Sequence, residues 1–265
     1  MPGSGFRGFG GLWRFDRFRV LNVDPALMTT NHAATLRTRL AGLAGAGVLS
    51  LAAVAWFSAP LIGVTGAYVW KVCATFGAAV AVAIALADGH PFPTLGPANV
   101  VTTIRLALLA SIAGLIGEPV TPRVAWVALG LAVAFTVLDG VDGWLARRSG
   151  VASPFGARYD METDALFILV LSLLVWRHGK AGAWVLVGGL LRYAFVAARW
   201  FLPWMGGALT PTLRGKAAAA GQMAGLAVAV APVVRWPVSA LAVGTTLGVL
   251  LWSFAQDVGR LWRSR

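Results

Sequence analysis

Five of the chain's ten acidic residues fall between positions 139 and 164. Four of them, Asp139, Asp142, Asp160 and Asp164, are spaced to act together. On a helix, Asp139, Asp142, Gly143 and Ala146 stand at i, i+3, i+4 and i+7, which is one face. Asp160 and Asp164 stand at i and i+4, one face again, in the first turns of the next helix. Both stretches lie within apolar sequence, where an ionised carboxylate is costly and needs partners or cations. A short connection brings the two faces together at one end of the helix pair. Four carboxylates converging there repel one another unless multivalent cations bind between them. Oxygen-only donors favour Mg2+ or Mn2+, and the lack of a neighbouring His or Cys argues against zinc.

Such a site suits phosphoryl-type chemistry. Two divalent ions can bridge a pyrophosphate, neutralise charge growing on the leaving phosphate and hold an incoming hydroxyl in line. A further carboxylate can take the hydroxyl proton. Gly143 and Ala146 lack bulk, so a flat ligand can approach the backbone on that face. The competing reading pairs the acids with Arg147, Arg148 and Arg158 at a helix end. Three arginines do not account for four acids at two matched helical spacings.

The elements that must position these residues are set by composition. Of 265 residues, 58% are hydrophobic and only 12% charged, with a mean hydropathy of +0.76. An ordinary soluble domain carries about 25% charged residues. Apolar runs fall near 40–58, 67–87, 98–117, 123–145, 157–176, 181–202, 216–233 and 237–256, several reaching the ~20 residues that cross a bilayer. Breaks at Pro60, Gly89 to Pro97, Pro119 to Pro122, Gly150 to Gly156, Gly179, Pro203 to Pro211 and Pro237 separate them. The expected fold is all-α, a polytopic membrane bundle of eight helices. Twelve Trp and thirty-two Gly suit it, as interface anchors and points of close helix approach.

The net charge of +12 fits the same picture. Excess Lys and Arg marks the cytoplasmic side of a membrane protein, and no separate basic domain points to nucleic acid. With the N-terminus inside, inner segments hold fourteen basic residues against four in the outer connections, Arg123, Arg177, Lys180 and Arg235. N-in and C-in is therefore the expected topology, with the acidic site facing the cytoplasm. Lys71 sits near the outer end of the second helix and is expected to snorkel. Residues 1–39 interleave arginines with Phe6, Phe9, Trp13, Phe15 and Phe18, a pattern for an anionic membrane surface or a cytoplasmic tail. Its first twenty residues lack the apolar core of a secretory signal, so no cleavage is expected. Cys73, the single cysteine, is read as apolar filler.

The stretch 139–164 resembles the signature of the CDP-alcohol phosphatidyltransferases, D-x-x-D-G-x-x-A-R, eight residues, then G-x-x-x-D-x-x-x-D, at every fixed position. The resemblance implies a six-helix catalytic core at 97–265, ending in a short basic tail, with two additional transmembrane helices and their loop at 40–96. It implies a homodimer in the inner membrane, with an active site open to the cytoplasmic leaflet. It also implies two divalent ions, one on Asp139, Asp142 and Asp160 and the other on Asp139, Asp160 and Asp164. Asp164 would be the base that activates the acceptor hydroxyl. Gly143, Ala146 and Arg147 would line the cytidine-diphosphate pocket. The partners implied are a CDP-lipid donor, an alcohol acceptor and the lipid bilayer.

Two further stretches bear on the same chemistry. Pro97-Ala-Asn99-Val-Val-Thr102-Thr-Ile-Arg105 is similar to the family's P-N-x-x-T-x-x-R opening, displaced by one residue at Ala98. Asn99, Thr102 and Arg105 lie roughly on one face and can reach the nucleotide; Asn99 can equally cap the helix. Arg214-Gly-Lys216 is similar to a segment of members that use phosphorylated acceptors, with Ala in place of the usual Thr. Together with Arg192 and Arg199 it forms a cationic group that either holds an acceptor phosphate or anchors the inner membrane face. Glu162 points away from the aspartate face, toward Arg158. His32, His90 and His178 read as solvated loop residues, and Asp257 as an interfacial neighbour of Arg260.

Two other functions fit part of this pattern. An intramembrane prenyltransferase also uses aspartate-bound Mg2+ on a pyrophosphate, but through an N-D-x-x-D element, whereas Leu138 precedes Asp139 here. A divalent-cation transporter would carry polar groups through the membrane depth. Here Ala165 to Val175 is almost wholly apolar.

Overall fold

The computed structural model of the chain describes residues 30–85, 96–149, 153–206 and 212–263. Within them each apolar run is a helix and there is no strand. In lipid the backbone must satisfy its own hydrogen bonds, and a helix does so within one segment. The helices are α1 (Thr30–Ile62), α2 (Ala67–Ala85), α3 (Gly96–Gly114), α4 (Pro122–Ser149), α5 (Pro154–Arg177), α6 (Leu186–Phe201), α7 (Leu213–Val230) and α8 (Val238–Arg263). Local signals set their ends. The Ser153 hydroxyl accepts from the Gly156 N–H at 3.0 Å and caps α5, with Pro154 in its first turn, where no N–H is needed. Thr212 caps α7 in the same way, accepting from the Gly215 N–H at 3.1 Å.

α1 is longer than its apolar run, with 33 residues, and only Ala44–Ile62 is apolar enough to span. The last part of the basic lead is therefore helical, while positions 1–29 lie outside the described residues. His32 has no described side chain and His90 lies outside the described residues.

Six segments are long and apolar enough to cross a membrane: those in α1, α2, α3, α4, α8, and α6 with the 3-10 turn before it. α5 and α7, expected from the sequence as two further spans, fall below that measure of length and hydropathy. The reason is charge: α5 carries Arg158, Asp160, Glu162 and Asp164, and α7 carries Arg214 and Lys216. α5 packs on α3, α6 and α7, and α7 packs on α4, α5 and α8. Phe167, Leu171, Leu174 and Val175 of α5 are fully buried, as are Leu226, Ala229 and Val230 of α7. These neighbours cover much of both helices, although Leu213 and Val228 of α7 stay exposed.

α1 and α2 pack against the rest through α3. A Cβ on Gly114 would lie 2.6 Å from Val72 Cγ2 and 2.8 Å from the Tyr68 ring, so only glycine permits this approach of α2 to α3. Beyond Gly114, Glu118 is held from three directions. Its carboxylate accepts from the Thr65 N–H at 2.6 Å, the Thr65 hydroxyl at 3.1 Å and Lys71 Nζ at 2.5 Å. Lys71 also donates to the Ile116 carbonyl at 2.9 Å. The expected snorkelling is thus replaced by a buried partner. At the same end of the bundle, Lys180 Nζ donates to the carbonyls of Ala231 (3.0 Å) and Val234 (2.5 Å), closing the α7–α8 turn.

Candidate active site

α4 delivers Asp139 and Asp142 from its last turns, and α5 delivers Asp160 and Asp164 from its first turns. Between them stands Arg105 of α3, with no exposed surface. Arg105 Nη1 lies 2.5 Å from Asp142 Oδ2 and 2.5 Å from Asp160 Oδ1. Its Nη2 lies 2.7 Å from Asp139 Oδ1 and also donates to Asp164 Oδ1. One guanidinium therefore touches all four carboxylates. The sequence placed Arg105 toward a nucleotide; the structure places it among the acids. Of the arginines in the competing reading, Arg147 and Arg148 lie outside the residues whose side chains are described.

A stacked aromatic pair forms the floor. The Arg105 guanidinium carbon lies 4.5 Å above the centroid of Phe135, within the range of a cation–π contact. Phe135 stacks on Phe167 with centroids 3.8 Å apart and planes 1° from parallel. Phe135 precedes Asp139 by one turn and Phe167 follows Asp164 by three residues, so each acid-bearing helix supplies one ring. Both rings are fully buried, and they seal the charged layer from the apolar interior. Nothing in the sequence sets these two apart from other aromatics in apolar runs.

Exposure grades the four acids. The side chain of Asp142 is 5% exposed, against 35%, 39% and 27% for Asp139, Asp160 and Asp164. Asp142 is thus the root of the site, and the other three form its lip. One oxygen from each of Asp139, Asp142 and Asp160 falls within 4.8 Å of the others, close enough to share an ion. Carboxylate oxygens alone suit a hard divalent ion such as Mg2+ or Mn2+. Asp164 stands outside that trio, joined to it through Arg105.

The other expected site residues divide into those behind the acids and those around them. Thr102 is buried, and its hydroxyl faces Asp142 Oδ2 at 3.4 Å while donating to the Ala98 carbonyl at 3.1 Å. Asn99 is buried as well, and a Cβ on Gly156 would lie 2.7 Å from its Oδ1. α3 begins at Gly96, so Asn99 sits inside the first turn rather than capping it. Gly143 is half-buried on α4. Ala146 and Arg147 continue that helix, and their side chains lie outside the described residues.

The cationic group comes from α6, α7 and α8. Arg192 pairs with Glu162, which the sequence had turned toward Arg158. Arg199 lies near enough to Arg192 for their charges to interact. Arg214 pairs with Asp257 at 2.9 Å and covers the Trp252 ring at 5.4 Å, and Arg260 shares the same Asp257. Asp257 is thus a bridge between α7 and α8. Lys216 is exposed, and its charge is felt at Asp139. His178, expected in solvent, is half-buried at the end of α5.

This geometry offers a charged lip of three partly open carboxylates, a buried root, an aromatic floor, and cations alongside. Carboxylates so grouped can hold a hard metal ion, and a carboxylate can accept a proton.

Comparison with known proteins points the same way. Residues 95–250, more than half of the chain, match the family model described as CDP-alcohol phosphatidyltransferase. Ethanolaminephosphotransferase 1 of Homo sapiens is 31% identical over 105 residues, covering 33% of this chain and 26% of the relative. The match thus spans little more than a quarter of that relative's length. No solved structure matches the chain.

Proposed function

This chain belongs to the CDP-alcohol phosphatidyltransferase family, and from that premise we propose that it moves a phosphatidyl group from CDP-diacylglycerol to an alcohol and releases CMP. The observation that carries this reading is the meeting of Asp139, Asp142, Asp160 and Asp164 from two helices around one point.

The chemistry balances on these residues. The acceptor hydroxyl oxygen forms a bond to the phosphatidyl phosphorus of the donor. The bond from that phosphorus to the bridging oxygen breaks, and CMP leaves with the bond's electron pair. Asp164 takes the hydroxyl proton as the new bond forms. Asp139, Asp142 and Asp160 would hold one divalent ion and Asp139, Asp160 and Asp164 a second, with Mg2+ and Mn2+ both compatible with oxygen donors. When bound, such ions neutralise the diphosphate and the charge on the departing phosphate. Gly143, Ala146 and Arg147 would line the cytidine end of the donor, with Asn99 and Thr102 behind them. Arg192, Arg199, Arg214 and Lys216 would face the acceptor and favour one bearing a phosphate.

α3 to α8 then form the catalytic core, with α1 and α2 as an additional pair. The reading further includes a homodimer in the inner membrane, with N-terminus and active site toward the cytoplasm.

The test is purified protein with labelled CDP-diacylglycerol, Mn2+ and a panel of alcohols and their phosphates, read by CMP release. Asp139→Asn and Asp164→Asn are expected to insert normally and lose CMP release at least ~100-fold, the scale of removing a group that acts in the transition state. Full activity in either variant would overturn the assigned role. A second donor class is favoured by one observation, the name of the human relative. CDP-ethanolamine with diacylglycerol therefore forms the competing arm. Turnover in that arm alone would reverse the donor assignment.

A further inference from the structure

Arg105 uses the oxygens that metal ions need. Nη1 is bonded to Asp142 Oδ2 and Asp160 Oδ1, and Nη2 to Asp139 Oδ1 and Asp164 Oδ1. The first three residues are the trio whose oxygens lie within 4.8 Å of one another. We infer that Arg105 is a built-in counter-ion for the aspartate quartet: a positioning residue that gathers the four carboxylates and competes with divalent ions for them, thereby setting metal affinity. The inference rests on the metal-dependent reading of this site.

Three observations carry it. First, Arg105 is fully buried and its planar fork engages carboxylates from both acid-bearing helices, so it ties α3 to α4 and α5 at one point. Second, the guanidinium carbon lies 4.5 Å from the centroid of Phe135, whose stack with Phe167 closes off the apolar interior. Third, the charges do not cancel. One cation faces four acids, so the group stays strongly anionic and still attracts divalent ions. A guanidinium is never neutralised at ordinary pH, so its opposition to a bound ion is constant.

Linkage fixes the signs. A group that stabilises the quartet without metal more than with it must weaken metal binding by the same factor. Replacing Arg105 should therefore lower stability in chelator and strengthen metal binding at once. A purely structural arginine would behave differently, costing stability equally in both conditions and leaving affinity unchanged or weaker. Arg105→Lys keeps one charge but not the fork, because an ammonium is a point charge on a flexible stem. It should fall between wild type and Arg105→Met.

The experiment measures Mn2+ binding by electron paramagnetic resonance, with thermal unfolding in detergent, in EDTA and in saturating Mn2+. Wild type, Arg105→Lys, Arg105→Met and Asp139→Asn are compared. Expected for Arg105→Met is a Kd for Mn2+ at least tenfold lower than wild type, a lower Tm in EDTA and a larger Mn2+-induced rise in Tm. If Arg105→Met folds only in Mn2+, that too supports the inference. If it folds in neither, Arg105→Lys decides, with a Kd at least threefold below wild type expected. Equal or weaker Mn2+ binding in the folded Arg105 variants, with wild type binding normally, overturns the counter-ion role alone. Wild type binding no more Mn2+ than Asp139→Asn overturns the metal reading itself, and the inference with it.

Discussion

A methyl group added to Gly156 would sit 2.7 Å from Asn99 Oδ1 and 3.3 Å from Ser153 Oγ. The nearer atom is the tip of a side chain, so Asn99 can turn aside while the backbone stays in place. Gly156→Ala should therefore cost little stability, about 1 kcal/mol or less, measured by thermal unfolding in detergent. If Asn99 serves the donor, the same variant should raise the KM for CDP-diacylglycerol several-fold, and adding Gly156→Ala to Asn99→Ala should change nothing more. Equal losses in both backgrounds would separate the two residues. At this scale the four aspartates were legible because helical spacing alone puts each pair on one face. Arg105 was not. Its partners lie on helices distant in sequence, and its own spacing with Asn99 and Thr102 suggested a nucleotide instead. Phe135 and Phe167 were invisible for a simpler reason: an aromatic in an apolar run looks the same whether it lies beneath a guanidinium or in plain core.

Helices carry a different set of consequences. The additional pair is joined to the core by the Glu118 cluster, whose side chain is only 2% exposed while Lys71 remains 34% exposed. Burial pushes the Glu118 carboxyl up, but hydrogen bonds from Lys71 and from the Thr65 backbone and hydroxyl outweigh it and hold it below the usual carboxylate range. Its proton affinity is therefore lower folded than unfolded. The stabilisation is complete above the unfolded value and is lost as pH falls through the lower folded one. Glu118→Gln should cost about 1–3 kcal/mol at neutral pH, the scale of leaving buried donors unmatched. The gap to wild type should persist down to pH 5 and close below about pH 4.3, the ordinary glutamate value. A gap that widens in acid would contradict the assignment. The eight helices themselves were readable from apolar runs and their Pro and Gly breaks. α5 and α7 fall short of the other six in hydropathy because they carry charge. That charge sits in their first turns, at the end of the bundle that holds the site.

Seen as one molecule, the charges sort by end. The four aspartates, Arg199, Arg214, Lys216, Arg260 and Arg263 belong to helix ends on one side, and Glu118, Arg123, Arg177, Lys180 and Arg235 to the other. Counted over the whole sequence, fourteen basic residues on the first side against four on the other are the basis for proposing it as the cytoplasmic face. The single cysteine makes this directly testable, since Cys73→Ala removes every native thiol. In that background Arg235→Cys and Arg263→Cys place one thiol at each end, and both parent residues are exposed. A membrane-impermeant maleimide applied to intact cells should label the cysteine at 235 and reach that at 263 only after permeabilisation. The reverse pattern would put the aspartates on the outer surface and overturn the proposed orientation. The orientation rests on loop charges that the sequence displays openly, whereas the inward turn of the aspartates depends on packing between α3, α4 and α5 that only the fold reveals.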